Sequence, residues 1–410
     1  MVGPLVEVWL PYGTSEIPAR IPAERLVDIL KPEDQLEIQD YLTEAKSALE
    51  SNEPLARSAS GSKSTCIALG SCGGQQLAVA LARMVVEFLA SKFNGPIVIL
   101  RSQDAPELDP SALGQTTVVK HNPVSSPTTP LTAFNGPFSL ELNSEFVNAD
   151  LRIVIGELKP SALLKFAGLT DVILPGLASA ATVTSHLSNR AGLVMDDLYK
   201  ERVQAGMSIE NLFLLGLAIP DGTHPAQLAC DTLKECLQSL EKTVEETFAR
   251  NFSKKAEIVV MGAGGTPADR SLASAIETLP VGLSALKKNG ALIVAAECES
   301  GHGNGEFYEW CAEGKEARYL EARLRRRLNY DGFKAALLRR TLDTHKVYLV
   351  STIPDHYVEG VFKMRAARTI SAALLSAQRV QGSDATISVI PNGSRVIPKL
   401  VELQKQEPIQ

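Results

Sequence analysis

Apolar and polar positions alternate with two different periods along this chain, and the changes between them divide it into elements. Val6–Leu10 alternates with a period of two and reads as a strand. The segment Tyr12–Ser15 turns it, and Glu16–Ile21 returns as the second strand of a hairpin. Pro22–Arg25 reads as a short helical turn, and Glu33–Leu49 has helical spacing. Small polar residues over Ser58–Thr65 predict a loop. Cys66–Leu69 is a short buried strand that runs into Gly70-Ser-Cys-Gly-Gly74 and the helix Gln76–Lys92. Pro96–Leu100 and Thr116–Lys120 are the next strands, and Ser, Thr and Pro then carry a long loop to Pro130.

The chain is organised around Gly156–Asn189, which follows the strand Ala149–Ile155. This stretch holds a Lys-Pro turn, the elbow Ile173–Gly176 and one imidazole, His186. Beyond it the pattern predicts a helix over Ala191–Arg202, a strand over Asn211–Ala218, a turn over Pro220–His224 and one long helix over Pro225–Ala249. A second α/β stretch follows. Glu257–Met261 is a strand ending in Gly262–Pro267, Asp269–Lys288 a helix stopped by Gly290, and Ala291–Ala296 a strand ending in Glu297–Gly303. Tyr319–Arg340 reads as a basic helix with Arg325-Arg326-Arg327 on a solvated face. Lys346–Ser351 is a strand, Ile370–Arg379 a helix and Thr386–Pro391 a last strand before the turn Pro391–Arg395. Strands alternating with helices predict two α/β domains with mostly parallel sheets and a cleft between them. The expected boundaries are 1–252 and 253–410, with about the last 15 residues packing back on the first domain.

Composition narrows the function classes. The chain has 410 residues, 45% hydrophobic and 21% charged, so it can bury two sizeable cores. A net charge of −6 argues against a general nucleic-acid or anionic-membrane binder. No apolar run approaches membrane-spanning length, and the first residues carry no basic and apolar leader pattern, so a cytoplasmic protein is expected. None of the six cysteines makes a CxxC pair, which argues against a zinc ribbon, and Cys66 and Cys298 suit reduced, buried thiols.

The candidate chemistry sits at strand ends. Ser71, Gly73 and Gly74 stand between a strand and a helix N-terminus, where backbone N–H groups favour an anion; a plain tight turn is the alternative. Gly264 and Gly265 form a similar turn, but Pro267 occupies the place of the last glycine of a dinucleotide fingerprint. His121 ends a strand and is the best candidate base, with an ordinary pKa near neutrality. A metal site would have to be assembled from His121, His186 and His302, and His224 reads as a turn residue.

The order of these segments resembles the nickel-pincer lactate racemase family. The resemblance is carried by Leu10–Gly13, His121-Asn122, Asn148–Gly156, Pro160, Gly168, Ile173–Gly176, Gly264–Pro267 with Asp269, Gly290–Cys298 and Gly301–Gly303. It implies a racemase or epimerase that moves hydride at C2 of a small hydroxyacid-like substrate, with a nickel-pincer nucleotide as cofactor. It further implies His121 as catalytic base, His186 as nickel ligand, and Ser71, Gly73, Gly74, Gly264 and Gly265 as the cofactor cradle. The chain departs from the family pattern at defined places. Ser161 stands where the family has a histidine, and Asp171 where it has the lysine that meets the pincer. Ser71–Gln75 replaces an Asp-x-Thr-Arg-Pro motif, and Ser274 and Glu277 replace a glutamine and a lysine that face substrate. Three readings follow: an active racemase homologue, a family member serving as a binding or assembly protein without racemase chemistry, or another enzyme using His121 with Glu297 or His302.

Overall fold

The computed structural model describes residues 3–31, 40–102, 105–188, 196–220, 224–326 and 329–401. The helix start expected at Glu33, Asn189, the start of the helix expected from Ala191, the middle of the Pro220–His224 turn and Arg327 lie outside these residues. Two compact units emerge. One holds described residues 3–31 and 248–401; the other holds 40–188 and 196–247. They are termed the terminal and the middle unit. The hairpin at the start of the chain thus belongs with the C-terminal residues, which differs from the sequence-order division at 252.

The strands in chain order are β1 (Leu5–Tyr12), β2 (Ser15–Pro22), β3 (Leu26–Ile29), β4 (Thr65–Leu69), β5 (Ile97–Arg101), β6 (Thr116–Lys120), β7 (Thr128–Pro130), β8 (Glu141–Asn143), β9 (Leu151–Ser161), β10 (Lys165–Gly168), β11 (Leu212–Ala218), β12 (Gln227–Thr232), β13 (Ala249–Phe252), β14 (Ala256–Gly262), β15 (Leu286–Ala295), β16 (Lys346–Val350), β17 (Arg365–Ala367), β18 (Ile387–Ile390) and β19 (Ile397–Leu400). The middle unit is built on the sheet β12-β11-β9-β4-β5-β6, parallel except for the edge strand β12, with β10 folded back on β9. The terminal unit is built on the fully parallel sheet β17-β16-β15-β14-β18-β3.

Each sheet is covered on both faces, and the strand sequences explain why. Every residue of β4 and β11 is buried, the continuous apolar run of a parallel strand with two covered faces. In β14 the side chains alternate. Val259 and Met261 enter the cluster with Leu279, Leu292 and Phe307, while Ile258 and Val260 enter the opposite one. That opposite cluster receives Val8 and Leu10 of β1, Ala19 and Ile21 of β2 and Ile370 and Leu374 of the helix Ile370–Gln381. The N-terminal hairpin is therefore a covering layer of the terminal sheet.

Four local expectations are corrected. Ser58–Gly61 closes the helix Glu53–Gly61, because Asn52 caps it and Leu55 and Ala59 bury one face. Pro225–Ala249 divides into β12 and the helix Leu233–Phe248, since Gln227–Thr232 pairs with β11. Asp269–Lys288 divides into the short helices Leu272–Ile276 and Leu279–Ser284, and Gly290 lies inside β15. Tyr319–Arg340 falls across two helices, Ala317–Arg326 and Tyr330–Thr344. The chain also carries the strand β19, which pairs in parallel with β13.

Candidate functional site

The strand order places a switch point in each sheet. In the middle unit the connections run outward from β4 in one direction and return to β9 on its other side. The crevice beyond the carboxyl ends of two such strands is where open α/β sheets bind ligands. Here it is bordered by Ser71, whose carbonyl accepts from Glu157 N, and by Gly73 and Gly74. Gly73 has φ +59°, which turns the chain into the helix Gln75–Ala90. No heavy atom lies within 4 Å of where a Cβ on Gly74 would stand. Buried Arg101, ending β5, holds the neighbouring loop through Ala105 O, Pro106 O and Glu107, and Gln75 donates to Glu107 O at 3.2 Å. The helix start therefore faces open space from a braced turn, an arrangement suited to an anion.

The corresponding corner of the terminal unit lies between β14 and β18, and it is filled. Gly264 has φ +128°, and a Cβ there would stand 2.4 Å from Ser394 Oγ and 2.6 Å from Asn392 Oδ1. A Cβ on Gly265 would stand 3.0 Å from Gly13 O and 3.1 Å from Pro11 Cβ. Asp269 binds this corner together from beneath. It is fully buried, and its Oδ2 accepts from Gly13 N at 2.7 Å and from Glu297 N at 3.1 Å. Burial, with Cys298, Glu297 and Asp269 close by, pushes the Tyr12 phenol up to about 12. Gly264 and Gly265 serve close backbone packing in this structure, and the space before them belongs to the hairpin tip and the 392–394 loop.

His121 ends β6 and is 1% exposed. Its Nε2–H donates to Ala178 O at 3.0 Å, and its Nδ1 accepts from Asn143 Nδ2 at 3.1 Å. Asn143 Oδ1 caps Glu145 N at 3.0 Å, which fixes the orientation of that amide. The carbonyl can only accept, so the ring is the neutral Nε2–H tautomer. Burial holds its pKa below the ordinary histidine value, against the Ala178 carbonyl, which acts the other way. Both ring nitrogens are engaged within the fold, so a role as base requires Asn143 to release Nδ1.

His186 lies in the last turn of the helix Ala180–Ser188. Its Nε2 is 3.3 Å from Glu201 Oε2, and its ring is 5.1 Å from that of Phe138. The segment joining Ala178 to His186 is stitched to the strand before it: Ser179 N donates to Glu141 O, and Thr182 Oγ1 accepts from Glu141 N and donates to Ser139 O. One segment thus anchors His121 at its start and carries His186 at its end. Among the described residues no three His, Cys, Asp or Glu side chains are gathered as a metal site requires. His302 lies in the other unit, its ring 4.8 Å from that of Tyr308.

Ser161 and Asp171, in the organising stretch, have defined structural work. Ser161 Oγ accepts from Leu163 N and Leu164 N and shapes the turn from β9 to β10. Asp171 accepts from Gly168 N at 2.9 Å and from Arg202 Nη1 at 2.6 Å. Arg202, on the helix Asp196–Met207, has only 8% of its side chain exposed, so Asp171 neutralises a buried guanidinium. Sequence reasoning missed Asn143, Glu201 and Arg202. Only the helical spacing of Arg202 on an otherwise polar helix hinted at an inward cation.

Comparison with known proteins agrees with this architecture. Residues 252–398 match the family model described as the lactate racemase C-terminal domain. The lactate racemase of Thermoanaerobacterium thermosaccharolyticum is 31% identical over 274 residues, 63% of this chain and 63% of that protein. The chain is thus similar to lactate racemases over these stretches. The lactate racemase of Lactiplantibacillus plantarum is 25% identical over 282 residues, 63% of this chain and 64% of that protein. The matched stretch thus spans less than two thirds of either relative. In fold, the lactate racemase apoprotein of T. thermosaccharolyticum superposes with a TM-score of 0.80 at 24% identity, covering 96% of this chain and 100% of that one. A Thermotoga maritima protein superposes with a TM-score of 0.63 at 14% identity, covering 90% of this chain and 100% of its own. No helix among the described residues is long and apolar enough to cross a membrane.

Proposed function

We propose that this protein is a lactate-racemase-family binding protein that holds a small hydroxyacid-like molecule without the lysine-attached pincer chemistry implied by the family resemblance. The observation that carries this reading is the Asp171–Arg202 pair. At the position that the family resemblance assigns to a lysine, this chain has a carboxylate, 2.6 Å from a buried guanidinium. A carboxylate supplies no amine for attachment, and freeing it would strand the Arg202 charge inside the middle unit. Ser161, in place of a histidine, is committed to two backbone N–H groups. His186, the expected nickel ligand, points its Nε2 at Glu201. These residues do not fit the pincer group, and no catalytic step is derived through it.

The remaining polar features suit binding. Ser71, Gly73 and Gly74 offer an anion the open helix start of the middle unit. Gly264 and Gly265 do not join that cradle, because their surroundings are packed. The described cysteines are all free thiols, in keeping with a cytoplasmic setting.

A second reading is favoured by His121. A neutral histidine at a strand end, with a lowered pKa, carries a basic nitrogen at neutral pH. In that reading the protein is a racemase or epimerase with His121 as base, His186 as nickel ligand and a hydroxyacid-like substrate. Expression beside the pincer-synthesis enzymes, followed by nickel analysis and a chiral assay of lactate, separates the two. The binding-protein reading expects no bound nickel and no interconversion. Nickel near one equivalent, with interconversion abolished by His121→Ala, overturns it.

A further inference from the structure

We propose that the outer face of the β1–β2 hairpin is a self-association surface, on which a second copy of this chain docks about a two-fold axis running along the strands. This face belongs to the terminal unit and takes no part in the function proposed above. The pairing register assigns each hairpin side chain to a side. Val8, Leu10, Ala19 and Ile21 point into the core of the terminal unit. Leu5, Glu7 and Trp9 alternate with them and point outward, and across the ladder they meet Pro22, Arg20 and Pro18. The outward face is therefore an apolar rung, a charged rung and a second apolar rung. Leu5 is 50% and Trp9 51% exposed. A single exposed apolar side chain is ordinary, but here two lie on one ribbon beside prolines, with an ion pair between them. Arg20 Nε donates to Glu7 Oε2 at 2.7 Å, with the two side chains 59% and 39% exposed. A pair so open to water adds little to the stability of the hairpin itself.

The charged rung selects both the occupant and its orientation. Two copies of one face meet with their two-fold axis lying in the plane of contact. An axis across the strands sets carboxylate against carboxylate and guanidinium against guanidinium, which like-charge repulsion opposes. An axis along the strands, midway between β1 and β2, sets Glu7 opposite the partner's Arg20 and Arg20 opposite the partner's Glu7. The same axis lays Trp9 over the partner's Pro18 and Leu5 over the partner's Pro22, so both apolar rungs are covered. Pro18 and Pro22 lack the N–H that a further strand beside β2 would need, so the copies meet by faces and not by edges. Each strand has eight residues, which makes the ribbon about 26 Å long and about 10 Å wide. That falls short of the roughly 800 Å² per partner of a stable complex, so the dimer is weak, with a Kd of about 10 μM or above.

Sedimentation equilibrium of the full chain, from about 5 to about 500 μM at low salt, tests this. Wild type should move from monomer to dimer across that range. Trp9→Glu and Glu7→Arg should each weaken the dimer at least about tenfold, the first by placing a charge on an apolar rung and the second by facing cations with cations. The double variant Glu7→Arg/Arg20→Glu restores opposite charges in both copies and should return the Kd to within about threefold of wild type. If Trp9→Glu gives no folded protein, Leu5→Glu at the other apolar rung should weaken the dimer in the same way. A wild-type chain that stays monomeric at about 500 μM overturns the proposal. So does a dimer that Trp9→Glu or Leu5→Glu leaves unchanged, since the copies then meet elsewhere. A double variant no better than Glu7→Arg alone is equally fatal, because the charged rung would not set the pairing.

Discussion

The two parallel sheets turn at the same topological corner, and the two corners have opposite fates. In the middle unit, Gly73-Gly74 opens a 16-residue helix with empty space before it. In the terminal unit, Gly264-Gly265 follows an equally buried strand, yet Pro11, Gly13, Asn392 and Ser394 take the space. A paired-glycine turn after a strand thus has two physical uses. It admits a ligand when nothing else approaches, and it admits another part of the backbone when something does. The glycines look alike in sequence; the occupant comes from positions about 120 to 250 residues away in the chain.

Substitution should make this contrast measurable, and the largest effect is expected at Gly264. An alanine there combines φ +128° with a 2.4 Å approach to Ser394 Oγ, so Gly264→Ala should cost about 3 kcal/mol or more in urea melts. Gly74→Ala, with no neighbour, should stay within about 1 kcal/mol of wild type. Similar losses at both would erase the distinction between a filled corner and an open one.

Next in size is Asp269, which joins the hairpin tip to the β15 loop. Asp269→Ala leaves Gly13 N and Glu297 N without their buried acceptor and should cost about 2–4 kcal/mol. A loss below about 0.5 kcal/mol would mean that the filled corner is held by packing alone. In the middle unit, Asp171→Ala should cost about 2–3 kcal/mol by leaving the Arg202 guanidinium buried beside a vacated site. The double variant Asp171→Ala/Arg202→Met should recover part of that loss, and an additive result would contradict the pairing.

The smallest effect is set by pH. His121 has a folded pKa lowered by burial, so the unfolded chain binds the proton more readily than the folded one. Its contribution to stability is complete above the ordinary histidine value of 6.5 and is lost as pH falls below it toward the lowered folded value. Wild type should therefore lose more stability between pH 7 and pH 5 than His121→Gln does. Equal pH slopes for the two proteins would remove His121 from that account.

Much of the architecture was legible in the residue pattern. Continuous apolar runs such as Cys66–Leu69 and Ile258–Met261 lie on central parallel strands, because two covered faces leave no room for polar alternation. Local patterns failed where a distant partner decided the outcome. Gln227–Thr232 was read into a helix, but pairing with β11 makes it a strand. The site followed the same rule. His121 and the glycine turns were visible as residue types at strand ends. That Asn143 and Ala178 occupy the His121 ring, that Arg202 neutralises Asp171, and that Asn392 and Ser394 crowd Gly264 depends on contacts between segments remote in sequence. The carboxylate at Asp171 was legible, whereas its buried cation was not.

The proposal that this chain lacks a lysine-attached pincer rests on Asp171, which is paired with the buried Arg202 guanidinium. Intact-mass spectrometry of the wild-type chain, made beside the pincer-synthesis enzymes, tests it most directly. The account predicts the unmodified mass of the polypeptide. A stoichiometric adduct of nucleotide mass, lost on His186→Ala or on substitution of a lysine in the middle unit, would contradict it.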